Sequence, residues 1–441
     1  MTNRWIAAAA VYRDTRMVLI LVLGFSSGLP LALSFATLSI RLTEDGVDLA
    51  TIGLFSLMGL PYTLKFLWSP LIDGLSIPWL TAHLGLRRGW MVASQIALAA
   101  AIITLGLADP RAALLPVMAL AFTVAFLSAT QDIVIDAFRV EILAEREQGA
   151  GAAAVQLGYR LGMLASGAGA LAIAELWGWN MAYVAMGLAM GVGMVAVLLA
   201  SEPKGHDRSA PDADRRSVGT WVKDHVVDPF GDFLARPGWA AIIGFIVLYK
   251  LGDAVAGAMS GPFYIQIGFS KTEIAVVTKV FGLAMTLSGA VIGGIVVARM
   301  GILRALLWCG LVQMLSNLIF ALQALVGADP VFLALTIGTE NLSGGMATVA
   351  FVAYISRLCS LEFTATQYAL FSSLAAVGRT TLASGGGLLA EQTGWFWFFV
   401  ASTVCALPGL LVLLWMMRGH AGFVSEEDSH ADRIAQGNQG P

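Results

Sequence analysis

Ionisable side chains are scarce in the apolar stretches of this 441-residue chain, and those present fall in groups. Asp132 and Asp136 are four apart in one apolar run, with Arg139 three further on, so a helix sets all three on one face. Two carboxylates on one face repel when both are ionised, which suits them to holding and passing a proton. The competing reading pairs Asp136 with Arg139 or Arg87 as part of a structural lock. Gln131 adjoins Asp132. Further on, Tyr249-Lys250-Leu251-Gly252-Asp253 places an amine and a carboxylate three apart. They either neutralise each other or, with Tyr249 and Gly252 beside them, form a polar break that lines a cavity. A third run holds Gln156, Tyr159 and Arg160, and a fourth holds Glu340-Asn341. Gln313 and Asn317 read as helix-packing hydrogen bonds, and Lys65 as a snorkelling lysine. An ionisable group at the bilayer centre costs roughly 2.5–3.5 kcal/mol on insertion scales, so each group that resides there is a candidate for function.

Other chemistry is poorly represented. Cys309, Cys359 and Cys405 are scattered, and all five histidines lie in polar segments, so neither a metal site nor a nucleophile constellation is expected. No cofactor is implied, and an enzyme is not expected. The chain is 58% apolar and 12% charged, where soluble domains carry about 45–50% and about 25%. That leaves too little polar surface to cover a water-soluble globule. A net charge of -3 offers no basic footprint for nucleic acid. The composition is that of an all-α, polytopic membrane protein.

The elements that carry these residues must then be spanning helices of roughly 20 residues. Twelve apolar runs begin near Met17, Ile52, Gly89, Ala113, Gly151, Trp179, Ala240, Glu273, Leu303, Val331, Gln367 and Trp395. With the N-terminus inside, eighteen of the 26 basic residues fall in inner segments and only Arg41, Arg111 and Lys271 in outer loops. The bias places both termini in the cytoplasm. The expected organisation is an N-terminal six-helix half (1–201), a cytoplasmic linker (202–238), a C-terminal six-helix half (239–418) and a disordered tail (419–441). Within the linker, Val218, Trp221, Val222, Val226, Phe230, Phe233 and Leu234 have helical spacing, and Asp228-Pro229 restarts the helix.

The halves repeat. At an offset of 216 residues Ala137-Phe138 meets Ala353-Tyr354, Glu175 meets Glu391, and Gly178-Trp179 meets Gly394-Trp395. Two homologous six-helix halves around a midplane site are the major facilitator plan. The loop after the second run, Ser69-Pro70-Leu71-Ile72-Asp73-Gly74 followed by Gly85-Leu86-Arg87-Arg88-Gly89, is similar to the loop signature of that superfamily, stretched by Ile77 to Leu84. The resemblance implies that Asp73 and Arg87, with Arg139, belong to a charge-paired inner gate.

Longer strings resemble the muropeptide permeases, the AmpG-like family. They include Gly28-Leu29-Pro30-Leu31-Ala32-Leu33, Leu60-Pro61-Tyr62-Thr63-Leu64-Lys65-Phe66-Leu67-Trp68-Ser69-Pro70 and Ala129-Thr130-Gln131-Asp132-Ile133-Val134-Ile135-Asp136-Ala137. Gly158-Tyr159-Arg160, the Tyr249–Asp253 string and Phe363-Thr364-Ala365-Thr366-Gln367-Tyr368-Ala369-Leu370 extend the likeness over nearly all twelve runs. The resemblance implies a bacterial inner-membrane importer, taking up N-acetylglucosamine–anhydro-N-acetylmuramic acid, with or without peptide, together with protons. Asp132 and Asp136 would then couple protons. Gln131, Tyr62, Gln156, Tyr159, Arg160, Tyr249, Lys250, Asp253, Glu340 and Asn341 would face the glycopeptide, aromatic faces meeting sugar and cations meeting carboxylates. The expected partners are that solute, protons and lipid, with the protein acting as a monomer. Import of another bulky anion, a siderophore or acetyl-CoA, is the alternative within the broader family, and a non-transporting receptor or enzyme the remote one.

Overall fold

The computed structural model describes residues 10–47, 59–203, 220, 223–383 and 386–418. Among these every regular element is a helix. Nine helices are both long and apolar enough to cross a membrane, from Thr15–Glu44 to Leu389–Met417. Pro330–Leu358 and Thr364–Ala383, of 29 and 20 residues, are about 44 and 30 Å long at helical rise, so they too reach across a bilayer. The second expected run begins outside the described residues. Its visible part is broken into Leu60–Leu64, a tight turn at Lys65–Leu67 and Ser69–Gly74, with Pro61 and Pro70 each in a first helical turn. The chain is a multi-pass membrane protein, and its spans are counted below in the order of the twelve runs.

By its internal contacts the chain divides into two compact units. The first is Met1–Val226 with Ala290–Gly301 and Thr348–Ser373; the second is Val227–Gly289 with Ile302–Ala347 and Leu374–Pro441. In the first unit the first span (Thr15–Ser34, continued by Ala36–Glu44) and the fifth (Gln148–Leu164, continued to Trp177) touch backbone to backbone. Gly24 and Gly28 face Val155 and Tyr159, while Gly158 and Gly162 face Leu21 and Phe25. A Cβ on Gly158 would lie 1.9 Å from the Leu21 carbonyl oxygen, and one on Gly28 2.0 Å from that of Tyr159. These are reciprocal small-xxx-small seams, the packing device of helices in lipid.

Helix ends are closed by charged side chains. The Arg87 and Arg88 amides, opening the third span (Leu86–Leu107), donate to Glu202 at 2.8 and 3.1 Å. Burial pushes the Glu202 carboxyl above the usual carboxylate range, and the two amides pull against it. Arg88 in turn donates to Val197 and Leu198 oxygens at 3.0 Å, at the end of the sixth span (Trp179–Leu199). Arg41 caps the third span's far end through the Leu105 and Ala108 oxygens. Cations at helix C-termini satisfy orphan carbonyls and oppose the helix dipole.

The repeat seen in sequence has a geometric counterpart. Gly178, between the fifth and sixth spans, has φ 84° and ψ 165°; Gly394, between the eleventh and twelfth, has φ 74° and ψ 164°. Each is followed by a tryptophan whose Nε1 donates to the end of an earlier span in its own unit: Trp179 to Glu44 of the first at 2.8 Å, and Trp395 to Gln266 of the seventh at 2.9 Å. In the second unit the seventh span is interrupted at Tyr249-Lys250, giving Trp239–Leu248 and Leu251–Gln266. Phe263, Phe320 and Phe399 form its aromatic core, with ring centroids 4.8 and 4.9 Å from Phe399.

In the linker, helix begins again at Asp228 with Pro229 in its first turn, and runs to Leu234. His225, just before it, is buried against Gly74. Val218, Trp221 and Val222, and the tail expected to be disordered, lie outside the described residues.

Candidate functional site

In the first unit the polar residues of the first, second, fourth and fifth spans converge. Asp132, on the fourth span (Leu114–Ile142), accepts from Ser27 Oγ at 2.5 Å. The phenols of Tyr62 and Tyr159 lie within its electrostatic reach. One turn on, Asp136 lies 3.9 Å from Lys65 Nζ and 3.8 Å from Arg139 Nη2. Lys65 is 8% exposed; it is turned inward onto the carboxylates instead of snorkelling, because the tight turn after Leu64 aims it there. Asp132, Asp136, Tyr62, Gln156, Tyr159 and Arg160 are half-buried, whereas Gln131 is fully buried with Ser26 and Gln95. Arg160 has no carboxylate partner among the described residues; its Nη1 lies 3.9 Å from Met163 Sδ.

A second cluster in the same unit is shut tight. Arg87, fully buried, donates to Asp73 at 2.7 Å and to Glu141 at 2.6 Å. Asp73 also accepts from the backbone N–H groups of Ala365 and Thr366 at 3.2 and 2.8 Å, and from Thr366 Oγ1 at 2.7 Å. It therefore sits on the first turn of the eleventh span (Thr364–Ala383), where exposed N–H groups and the helix dipole favour an anion. Arg139 donates to Gln148 and Ser356 and lies over the Tyr368 ring, 5.4 Å from its centroid. Near it, Arg357 pairs with Glu145 at 2.9 Å. Arg87 is thus engaged away from Asp136. Glu141, Ser356, Ala365 and Thr366 escape a sequence reading because they are brought in from 54 to 293 residues away.

In the second unit the break at Tyr249-Lys250 leaves Tyr249 OH donating to the Leu306 oxygen at 2.9 Å. Lys250 Nζ is buried, donates to Gln313 Oε1 at 2.9 Å and lies 3.7 Å from Asp253. The Lys250–Asp253 pair is real but long, and the amine is shared with Gln313. Gln313 thus makes an interhelical hydrogen bond, with the Lys250 amine as its donor. Both side-chain polar atoms of Asn317 are buried without a hydrogen-bond partner among the described residues, so the packing hydrogen bond expected there is not formed. Glu340 accepts from Asn341 at 2.9 Å, Asn341 accepts from Thr286 at 2.7 Å, and Glu340 lies within electrostatic reach of Asp253 and Lys250. Among the described residues no cluster of metal-ligating side chains occurs.

The sequence model of the Major Facilitator Superfamily matches residues 20–379. The chain is 43% identical over 406 residues to the anhydromuropeptide permease of Escherichia coli K12, covering 92% of this chain and 80% of that one. It is 35% identical to the putative transporter AmpG 4 of Rickettsia conorii, covering 92% and 97%. Among solved structures, the proton:xylose symporter XylE superposes with a TM-score of 0.65 at 10% identity, covering 95% and 96% of the two chains. The transporter FucP in its outward conformation gives 0.66 at 12% identity, covering 91% and 98%. At such identities the two structures speak for the fold alone.

Proposed function

The chain belongs to the Major Facilitator Superfamily and, within it, to the AmpG-like muropeptide permeases, and from that premise we propose that it imports anhydromuropeptides across the bacterial inner membrane by proton symport. The observation that carries the substrate class is the 43% identity to an anhydromuropeptide permease over 92% of the chain. The layout of charge supports the mechanism. Asp132 takes a proton from the outer side and gives it up on the inner side, with Ser27 Oγ donating to its carboxylate. Asp136 supports the inner gate through Lys65 and Arg139.

Arg160 and Lys250 meet the carboxylates of the muramyl and peptide parts, and Tyr62, Tyr159 and Tyr249 offer faces and hydroxyls to the sugar rings. Asp73, held between Arg87 and the first turn of the eleventh span, locks the inner gate. Each proton entering down a 100 mV potential supplies about 2.3 kcal/mol, enough for nearly fifty-fold accumulation. Both termini face the cytoplasm, and import serves recycling of cell-wall fragments.

The deciding experiment is uptake of labelled N-acetylglucosamine–anhydromuramyl disaccharide into proteoliposomes with an imposed proton gradient. Accumulation that collapses with a protonophore is the expected result. Failure of unlabelled disaccharide to compete, with competition by acetyl-CoA or a ferric siderophore, would replace the cargo and leave the fold.

A further inference from the structure

The loop between the second and third spans contains the one non-glycine residue with positive φ among the described residues, Trp79, at φ 66°. With ψ -51° and the Leu80 N–H donating to the Pro78 oxygen at 2.8 Å, Trp79 is the centre of a γ-turn of the strained, positive-φ form. A bulky side chain adopts that region only when its surroundings impose it. Here they do. The Ile77 amide donates to Thr81 Oγ1 at 2.9 Å, and the Thr81 amide to the Ile77 oxygen at 2.9 Å. His83 Nδ1 lies 2.7 Å from the Trp79 oxygen, and Trp90 Nε1 donates to Leu75 at the loop's base. The turn throws the indole outward: Trp79 is 70% exposed, its ring centroid 5.0 Å from that of His83, and Leu75 nearby is 41% exposed.

The height of this indole is fixed. The short helix Leu80–Leu84 lies against the first turn of the third span, where a Cβ on Gly89 would meet the Thr81 nitrogen at 3.1 Å. The third span, Leu86–Leu107, has 22 residues, about 33 Å, close to the roughly 30 Å hydrocarbon core. Its first turn therefore lies at the boundary between hydrocarbon and headgroups, and the loop folded beside it lies at the same level. An indole has an apolar body and a single N–H donor, the combination that partitions to this boundary. A loop bound for water would gain nothing from holding a strained tryptophan outward.

We infer that the loop 75–85 is a membrane-surface anchor, in which Trp79 inserts among lipid headgroups beside the third span. The occupant of the exposed face is the bilayer.

The test uses the full chain in liposomes. The emission of Trp79 is isolated from the other eleven tryptophans as the difference between wild type and Trp79→Phe. The expected result is loss of that difference emission to lipids brominated near the headgroup end of the acyl chain, with less loss to lipids brominated near the methyl end and weak quenching by aqueous acrylamide. Strong acrylamide quenching without lipid quenching would put the loop in water, and shielding from both quenchers would put protein over it; either result overturns the proposal. Trp79→Gly, which takes positive φ freely, serves as the subtraction if the phenylalanine variant fails to fold.

Discussion

At the scale of single residues, the intramembrane carboxylates differ by what surrounds them. Asp132 accepts from Ser27, whereas Asp136 lies between Lys65 and Arg139 at nearly equal, long distances. Asp132→Asn keeps the acceptor for Ser27 and removes the site that gains and loses a proton. Gradient-driven accumulation should therefore be lost while the protein still reaches the membrane and binds solute; normal accumulation by this variant would remove Asp132 from proton coupling. Arg160 is half-buried with no acidic partner among the described residues, so of the two proposed anion sites it should bind the carboxylate more strongly. Lys250 already shares its charge with Asp253 and Gln313. Arg160→Gln should weaken binding of the carboxylated fragment by tenfold or more, the worth of about 1.4 kcal/mol, and leave its methyl ester little changed. Lys250→Gln should show the same preference more weakly. Calorimetry on both ligands reads the difference, and equal losses for acid and ester would assign the two cations to packing.

At the scale of elements, the seam between the first and fifth spans tolerates no side chain. Gly158→Ala would drive a methyl group into the Leu21 carbonyl, so the helices must separate. Overpacking of this kind costs about 1–3 kcal/mol, and thermal unfolding in detergent should show a lowered midpoint. Gly167→Ala, further along the same span, meets nothing within 4 Å and is the control. A variant at Gly158 as stable as this control would mean that the seam is loose. The GxxxG spacing of Gly24 with Gly28, and of Gly158 with Gly162, was present in the sequence; that the two motifs face each other was not. Likewise the Gly-Trp pairs of the repeat marked the corners, but their backbone conformation and the return of each indole to the end of an earlier span belong to the folded units.

At the scale of the whole molecule, the basic residues set the expected orientation. Periplasmic reporter fusions after Gly219 and after Gly422 should be inactive if both the linker and the C-terminus face the cytoplasm. Activity at either point would reverse the sidedness of the proposed gate, in which Asp73 joins Arg87 to the start of the eleventh span.

Composition and periodicity by themselves determined the class of molecule, since a chain 58% apolar and 12% charged has no soluble solution and its runs are long enough for helices to cross a bilayer. The same arithmetic picked out Asp132, Asp136, Arg160, Lys250, Asp253 and Glu340, because charge in an apolar run is costly wherever that run lies. Tertiary structure alone decided the partners. Lys65 had the spacing of a snorkelling lysine, and only the tight turn at Lys65–Leu67 directs it to Asp136. Gln313 read as a helix-packing hydrogen bond, but only the folded unit names Lys250, beside the break in the seventh span, as its donor. Asp73 finds Thr366 across 293 residues of chain. A one-dimensional pattern fixes which face of a helix a side chain occupies, but the neighbour opposite that face is chosen by packing between helices distant in sequence, and no local rule encodes it.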